Sequence, residues 1–144
     1  MKSIVLCAAV LSLPAHGEWL TVVGEAGNPS SDYFQVSPDS VRSLRHLRFV
    51  GLRASRAQAE VGRDGVTFRS FDATAVIDCE RGTARYVTTR YFQAPNFEGT
   101  PETVQNSVGR RPVISWMTAD GRPARLIKSI CAIGEVEKAS GRPS

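Results

Sequence analysis

The sequence predicts an α+β domain: an antiparallel β-sheet of about five or six strands, with a C-terminal α-helix packed on one face and tied to it by a disulfide. Three observations predict it. Short runs of alternating apolar and polar residues, punctuated by Gly, Pro, Asn and Asp, recur between residues 18 and 92. Apolar residues return at helical spacing from Pro123 to Cys131. The cysteines Cys79 and Cys131 fall one in each of these parts.

The chain opens with Met1-Lys2, an apolar run from Ile4 to Leu13, and then Pro14-Ala15-His16-Gly17. A basic start, an apolar stretch of about ten residues and small residues before the cut are the order of an export signal, so residues 1–17 are read as a signal peptide. The cut falls after Gly17, or after Ala15. The apolar run is about half of the ~20 residues a membrane-crossing helix needs, and no later stretch comes closer. Cys7 lies inside that run rather than just after it, which argues against lipid attachment. Residues 18–134 are then a single domain, large enough for one core and too small for two, and residues 135–144, without apolar periodicity, are a flexible tail.

Loss of Cys7 with the signal leaves two cysteines in a chain bound for an oxidising compartment, where pairing of Cys79 with Cys131 is the default. Closing a loop of that length is worth about 4 kcal/mol in the chain-entropy model. Two free thiols are the alternative. With at most two histidines the pair makes a poor zinc site, and neither metal nor cofactor is expected. The formal net charge is +4, carried mostly by scattered arginines. That balance suits contact with anionic surfaces, while export argues against nucleic acid as the partner.

Taken in order, Glu18 to Val23 reads as a first strand stopped by Gly24, and Gly27-Asn28-Pro29-Ser30-Ser31 as a turn. Tyr33 to Val36 reads as a second strand ended by Ser37-Pro38-Asp39-Ser40. Residues 41–61 satisfy both a helical and an alternating template. Gly51 and the neighbouring strands favour a turn near 41–45 and a strand from Leu47 to Gln58. Between Val66 and Phe92 the row Phe71, Ala73, Ala75, Ile77, Cys79 faces the core, and Ser70, Asp72, Thr74 and Asp78 lie on the other, mostly wet face, with Val76 as the exception. A loop of Glu80-Arg81-Gly82-Thr83 pairs Cys79 with Ala84, which puts Tyr86, Thr88 and Phe92 on the apolar side and Arg85, Thr89 and Gln93 on the wet one. Residues 95–111 form a long polar connection, and Val113 to Met117 a short final strand. The helix then starts at Asp120-Gly121, carries Leu126, Ile127, Ile130 and Cys131 inward, and ends at Gly134. The small side chains of Ala73 and Ala75 let it come close.

Trp19 in the first strand, Asp39-Ser40-Val41 after a Tyr-containing strand, Asp78-Cys79 at a strand end, Trp116, and Lys128 three residues before Cys131 together resemble the bacterial surface-adhesin protein E family. The resemblance spans roughly residues 18–133. It implies an antiparallel sheet with a disulfide-tied C-terminal helix, and adhesion or binding to host matrix, plasma or envelope proteins. The chain departs from the anchored form of that family in having no lipobox cysteine.

Catalysis by a nucleophile and base needs a positioned histidine. His46 has no acidic neighbour in sequence, and no HExxH, GxSxG or phosphate loop occurs, so no catalytic residue is assigned. Asp78 and Glu80 read as solvated strand-end residues rather than a catalytic pair. Trp19 and Trp116 read as core anchors. The candidate binding residues are Arg42, Arg45, His46 and Arg48, the dense part of a basic series that runs on to Arg53 and Arg56, and Phe97, the one aromatic of the 95–111 connection. The plainer reading of the basic series is the wet side of a turn and strand.

The sequence thus points to an exported, non-enzymatic binding protein, periplasmic or at the cell surface, with a protein ligand. An envelope accessory protein without a host ligand is the alternative, and a periplasmic enzyme or enzyme inhibitor a third. An exposed edge strand would permit a dimer.

Overall fold

Turns short enough to bring each strand back beside the last dictate a meander. The computed structural model describes residues 17–62, 64–105 and 123–139. These form six strands, each antiparallel to its sequence neighbour, and one α-helix. The strands are β1 (Leu20–Val23), β2 (Tyr33–Leu44), β3 (Leu47–Val61), β4 (Thr67–Asp78), β5 (Thr83–Phe92) and β6 (Glu102–Gln105); the helix α1 is Pro123–Ala139. Residues 1–16 of the expected export signal, the expected strand at Val113–Met117 with Trp116, the expected helix start at Asp120-Gly121 and residues 140–144 lie outside the described residues.

Register assigns every side chain to one of two faces. On the first, Phe34, Val36, Leu52, Ala54, Phe71, Ala73, Ala75 and Ile77 are buried together with Ile127 and Ile130 of α1. The helix lies nearest β2 and β3. Its described polar side chains, Arg125, Lys128 and Ser129, point to solvent, so the helical spacing read from the sequence is the spacing that packs. Pro123 at its first position needs no amide partner there. Cys131 on this helix is bonded to Cys79, at the end of β4, with the Cα atoms 5.8 Å apart. On the same face burial pushes the Tyr86 phenol well above its ordinary pKa, and burial with a hydrogen bond to Asp64 does the same for Tyr91.

Several expectations need correction. The second strand does not stop at Ser37–Ser40 but continues through a bulge between Ser37 and Arg42. The Ser40 hydroxyl donates to the Ser37 carbonyl at 2.6 Å and accepts the Gly51 amide at 2.8 Å, supplying the ladder bonds the bulge removes. The turn that follows is only Arg45-His46, with Arg45 in the left-handed region at φ 54°, and β3 runs on to Val61.

The β4–β5 loop is residues 79–82, so Ala84 pairs with Ile77 rather than Cys79. That two-residue slip keeps faces unchanged. A further irregularity between Tyr86 and Thr88 does not: it turns Thr89 and Tyr91 inward and Thr88 and Phe92 onto the other face. The polar connection contains β6, which an Asn-, Gly- and Thr-rich composition hides. Finally, α1 passes through Gly134 to Ala139.

Candidate functional site

The second face of the sheet is built from the alternate residues of the same strands. Among the described residues, Trp19 lies over Gly51 and Arg53 on this face and a strap at Pro95–Phe97 lies over Ser55 and Ser70, and Tyr33, Val76 and Phe92 of the face are buried. Its cross-strand rows read Tyr33-Ser55-Ser70-Phe92, then Gln35-Arg53-Asp72-Arg90, then Ser37-Gly51-Thr74-Thr88.

The middle row is a chain of polar contacts. Gln35 Nε2 donates to Thr21 Oγ1 at 3.0 Å, and Arg53 Nε donates to Gln35 Oε1 at 2.6 Å. Arg90 grips Asp72 with two parallel bonds, Nε to Oδ1 at 2.6 Å and Nη2 to Oδ2 at 2.5 Å. That fork raises the Arg90 pKa through its hydrogen bonds to Asp72. Burial, opposed by the charges of Tyr33 and Asp72, lowers that of Arg53.

Two aromatic rings flank Arg53 along its own strand. Its Cζ stands 4.2 Å from the centre of the Trp19 ring and 4.7 Å from that of Phe97, both cation–π distances. Trp19 lies over Gly51: a Cβ at that glycine would meet the indole in ordinary contact at 3.5 Å and would crowd Ser40 Oγ at 3.2 Å. Phe97 meets Tyr33 and Phe92 edge-on, each at 6.2 Å.

The strap that carries Phe97 is held from beneath. Ser70 Oγ donates to the Ala94 carbonyl at 2.6 Å and accepts the Phe97 amide at 2.9 Å, while Ser55 Oγ accepts the Asn96 amide at 3.1 Å. Tyr33 Oη donates to Asn96 Oδ1 at 2.6 Å, and Asn96 Nδ2 reaches the Gly27 carbonyl at 3.1 Å. These bonds over-determine two consecutive left-handed residues, Asn96 at φ 59° and Phe97 at φ 63°. For Phe97 that conformation costs roughly 1–3 kcal/mol. The strap thus holds one aromatic side chain in a fixed place at a strained backbone.

The residues singled out from sequence fall in two places. Arg42, Arg45, His46 and Arg48 gather at the β2–β3 hairpin, while Phe97 sits over Arg53, five residues and about 17 Å further along β3 than Arg48. Arg42 is exposed, with Nη1 donating to the Asp39 and Val41 carbonyls. Arg45 is an exposed turn residue. Arg48 is buried on the helix-covered face, where its Nη1 donates to the carbonyls of Arg45 and Leu47 at 2.9 and 3.0 Å. His46 has an acidic neighbour after all, Asp78 Oδ2 at 3.8 Å from Nε2. Asp78 Oδ1 accepts the amides of Glu80 and Arg81, so this carboxylate closes a turn.

Trp19 belongs to the open face rather than to the core. The sequence reading also missed Ser70, expected in water and in fact fully buried under the strap, and the Asp72–Arg90 fork. A partial signal for Trp19 existed: a glycine within a strand marks a place where something large lies across the backbone. Among the described residues no group of three or more His, Cys, Asp and Glu is placed to hold a metal ion, and no helix is long and apolar enough to cross a membrane.

No family model matches the chain, and no curated protein does.

Proposed function

We propose that this is an exported, non-enzymatic binding protein that grips a protein partner on the open face of its sheet, around Trp19, Arg53 and Phe97. The observation that carries the reading is the arginine flanked by two aromatic rings, one of them fixed by a strained strap. Tryptophan, tyrosine and arginine dominate the energetic centres of protein interfaces, and side chains already held in place lose little entropy on docking.

The disulfide is consistent with an oxidising compartment outside the cytoplasm. Periplasm or cell surface is the location proposed, and membership of the surface-adhesin protein E family is part of the same proposal. It draws support from the agreement between the architecture the resemblance implies and the one described above.

The test is a pull-down from envelope fractions and from host matrix proteins with the oxidised protein, beside Trp19→Ala and Phe97→Ala variants of unchanged far-UV spectrum. A specific partner that both variants lose supports the proposal. A partner retained by both moves the interface elsewhere. Protease shaving of intact cells distinguishes a surface adhesin from an accessory protein confined to the periplasm.

A further inference from the structure

The open face offers more than apolar contact, because one of its cations has bonding capacity to spare. A guanidinium has five N–H donors. Arg53 uses its Nε on Gln35, and among the described residues its two terminal nitrogens make no hydrogen bond. The nearest acid in its row, Asp72, is taken: both of its oxygens are bound by Arg90. Arg53 is half-buried, and neither of its terminal nitrogens is among the fully buried polar atoms that lack a partner, so solvent reaches them. The guanidinium lies between two ring walls, Trp19 and Phe97, with its terminal nitrogens open to solvent.

From this geometry we infer that Arg53 receives a carboxylate of the partner, an Asp or Glu side chain on an acidic segment, with the flanking residues of that segment packed on Trp19 and Phe97. This rests on the function proposed above and specifies the chemistry of the same site. A carboxylate matches a guanidinium fork with two parallel charge-assisted bonds, and low-polarity ring walls strengthen them. The wider face agrees in sign. By register Arg42, Arg53, Arg85 and Arg90 all lie on it, against Asp72 and Asp78.

A sulfated polysaccharide fits less well. It needs a continuous line of cations, whereas Asp72 interrupts the arginines of this row, and the Arg53 site is wide enough in polar contacts for a single planar group.

The experiment uses the oxidised protein and a fluorescent peptide, Gly-Phe-Glu-Phe-Glu-Gly, beside its counterpart with both Glu replaced by Gln. Anisotropy should show the Glu peptide binding at least tenfold more tightly than the Gln peptide. Arg53→Gln should remove that preference, so that the two peptides bind the variant alike. An unchanged preference in Arg53→Gln, or equal binding of both peptides to the native protein, overturns the inference.

Should Arg53→Gln fail to fold, titration of the native protein provides the same decision. The Arg53 Nε–H and Trp19 indole N–H resonances should move with the Glu peptide and not with the Gln peptide. Movement confined to other residues overturns the inference. Heparin displacing the peptide at lower charge concentration than a polyglutamate of similar length would reassign the site to sulfate. A partner that Trp19→Ala and Phe97→Ala abolish, but that neither Arg53→Gln nor competing Glu peptide weakens, sinks the carboxylate while leaving the open-face interface standing.

Discussion

The two faces of this sheet are made by alternate residues of the same strands, yet they are held by different forces. The helix-covered face is an apolar layer in which Val50, Leu52, Ala75 and Ile77 are almost wholly buried against Ile127 and Ile130. Removal of apolar surface from water drives it, at roughly 25 cal/mol per Å². The open face also buries Tyr33, Val76 and Phe92, but to these it adds a lattice of specific bonds: Ser70 and Ser55 under the strap, Gln35 on Arg53, Arg90 on Asp72. What the difference teaches is a division of labour within one layer of backbone. Non-directional burial dominates the helix-covered side, and directional contacts dominate where the other side shapes a surface around Arg53.

That contrast can be broken first where the two elements of the covered face are stapled together. Replacing both Cys79 and Cys131 with Ser should lower stability by about 4 kcal/mol, read as the urea midpoint against the oxidised parent. If the loss is under about 1 kcal/mol, apolar packing alone holds α1 on the sheet.

Ile130→Ala should cost about 3 kcal/mol, within the range for truncating a fully buried aliphatic side chain, with little change in binding at the open face. Thermal melting and the pull-down measured together separate the two effects. A binding loss as large as that of Trp19→Ala would show that the faces are coupled.

Ser70→Ala sharpens the comparison from the other side. It removes the acceptor of the Phe97 amide and the donor to Ala94 in a fully buried position, and should cost about 2 kcal/mol. Unlike Ile130→Ala, it should also raise the amide exchange rates of residues 96 and 97 and weaken the partner. Unaltered exchange there would mean that the strap does not depend on Ser70.

The smallest effect belongs to the Asp72–Arg90 pair, whose arginine is 54% exposed. Asp72→Asn should change stability by under about 1 kcal/mol, because solvent and salt screen an ion pair at the surface. It would still release Arg90 and make the face more basic. Tighter binding of the Glu peptide to Asp72→Asn at low salt is the expected sign, converging on the parent as ionic strength rises.

Much of the covered face was legible. A period of two places Phe71, Ala73, Ala75 and Ile77 on one side whatever the register, and a period of 3.6 does the same for Ile127 and Ile130. Pairing of the two cysteines followed from their number once the chain was read as exported. Local errors came from irregularities of pairing. The bulge at residues 37–42 and the slip after Tyr86 each insert residues that no pattern announces, and the second exchanges the expected positions of Thr88 and Thr89. The helix ran past Gly134 because glycine weakens a helix by only about 1 kcal/mol and need not end it.

Periodicity and composition by themselves determined the class of fold, the inward row of the central strands, the inward face of the helix and the covalent tie between them. Such features depend on residues close in sequence, or on a chemistry that only two side chains share. The open-face site was decided by tertiary structure alone. Trp19 comes from the residue just before β1, Gly51 and Arg53 from β3, Ser70 from β4 and Phe97 from the strap, and nothing in the local pattern of any one reveals the others. Only the register of four strands brings them to one place, and register is set by the burial of the opposite face.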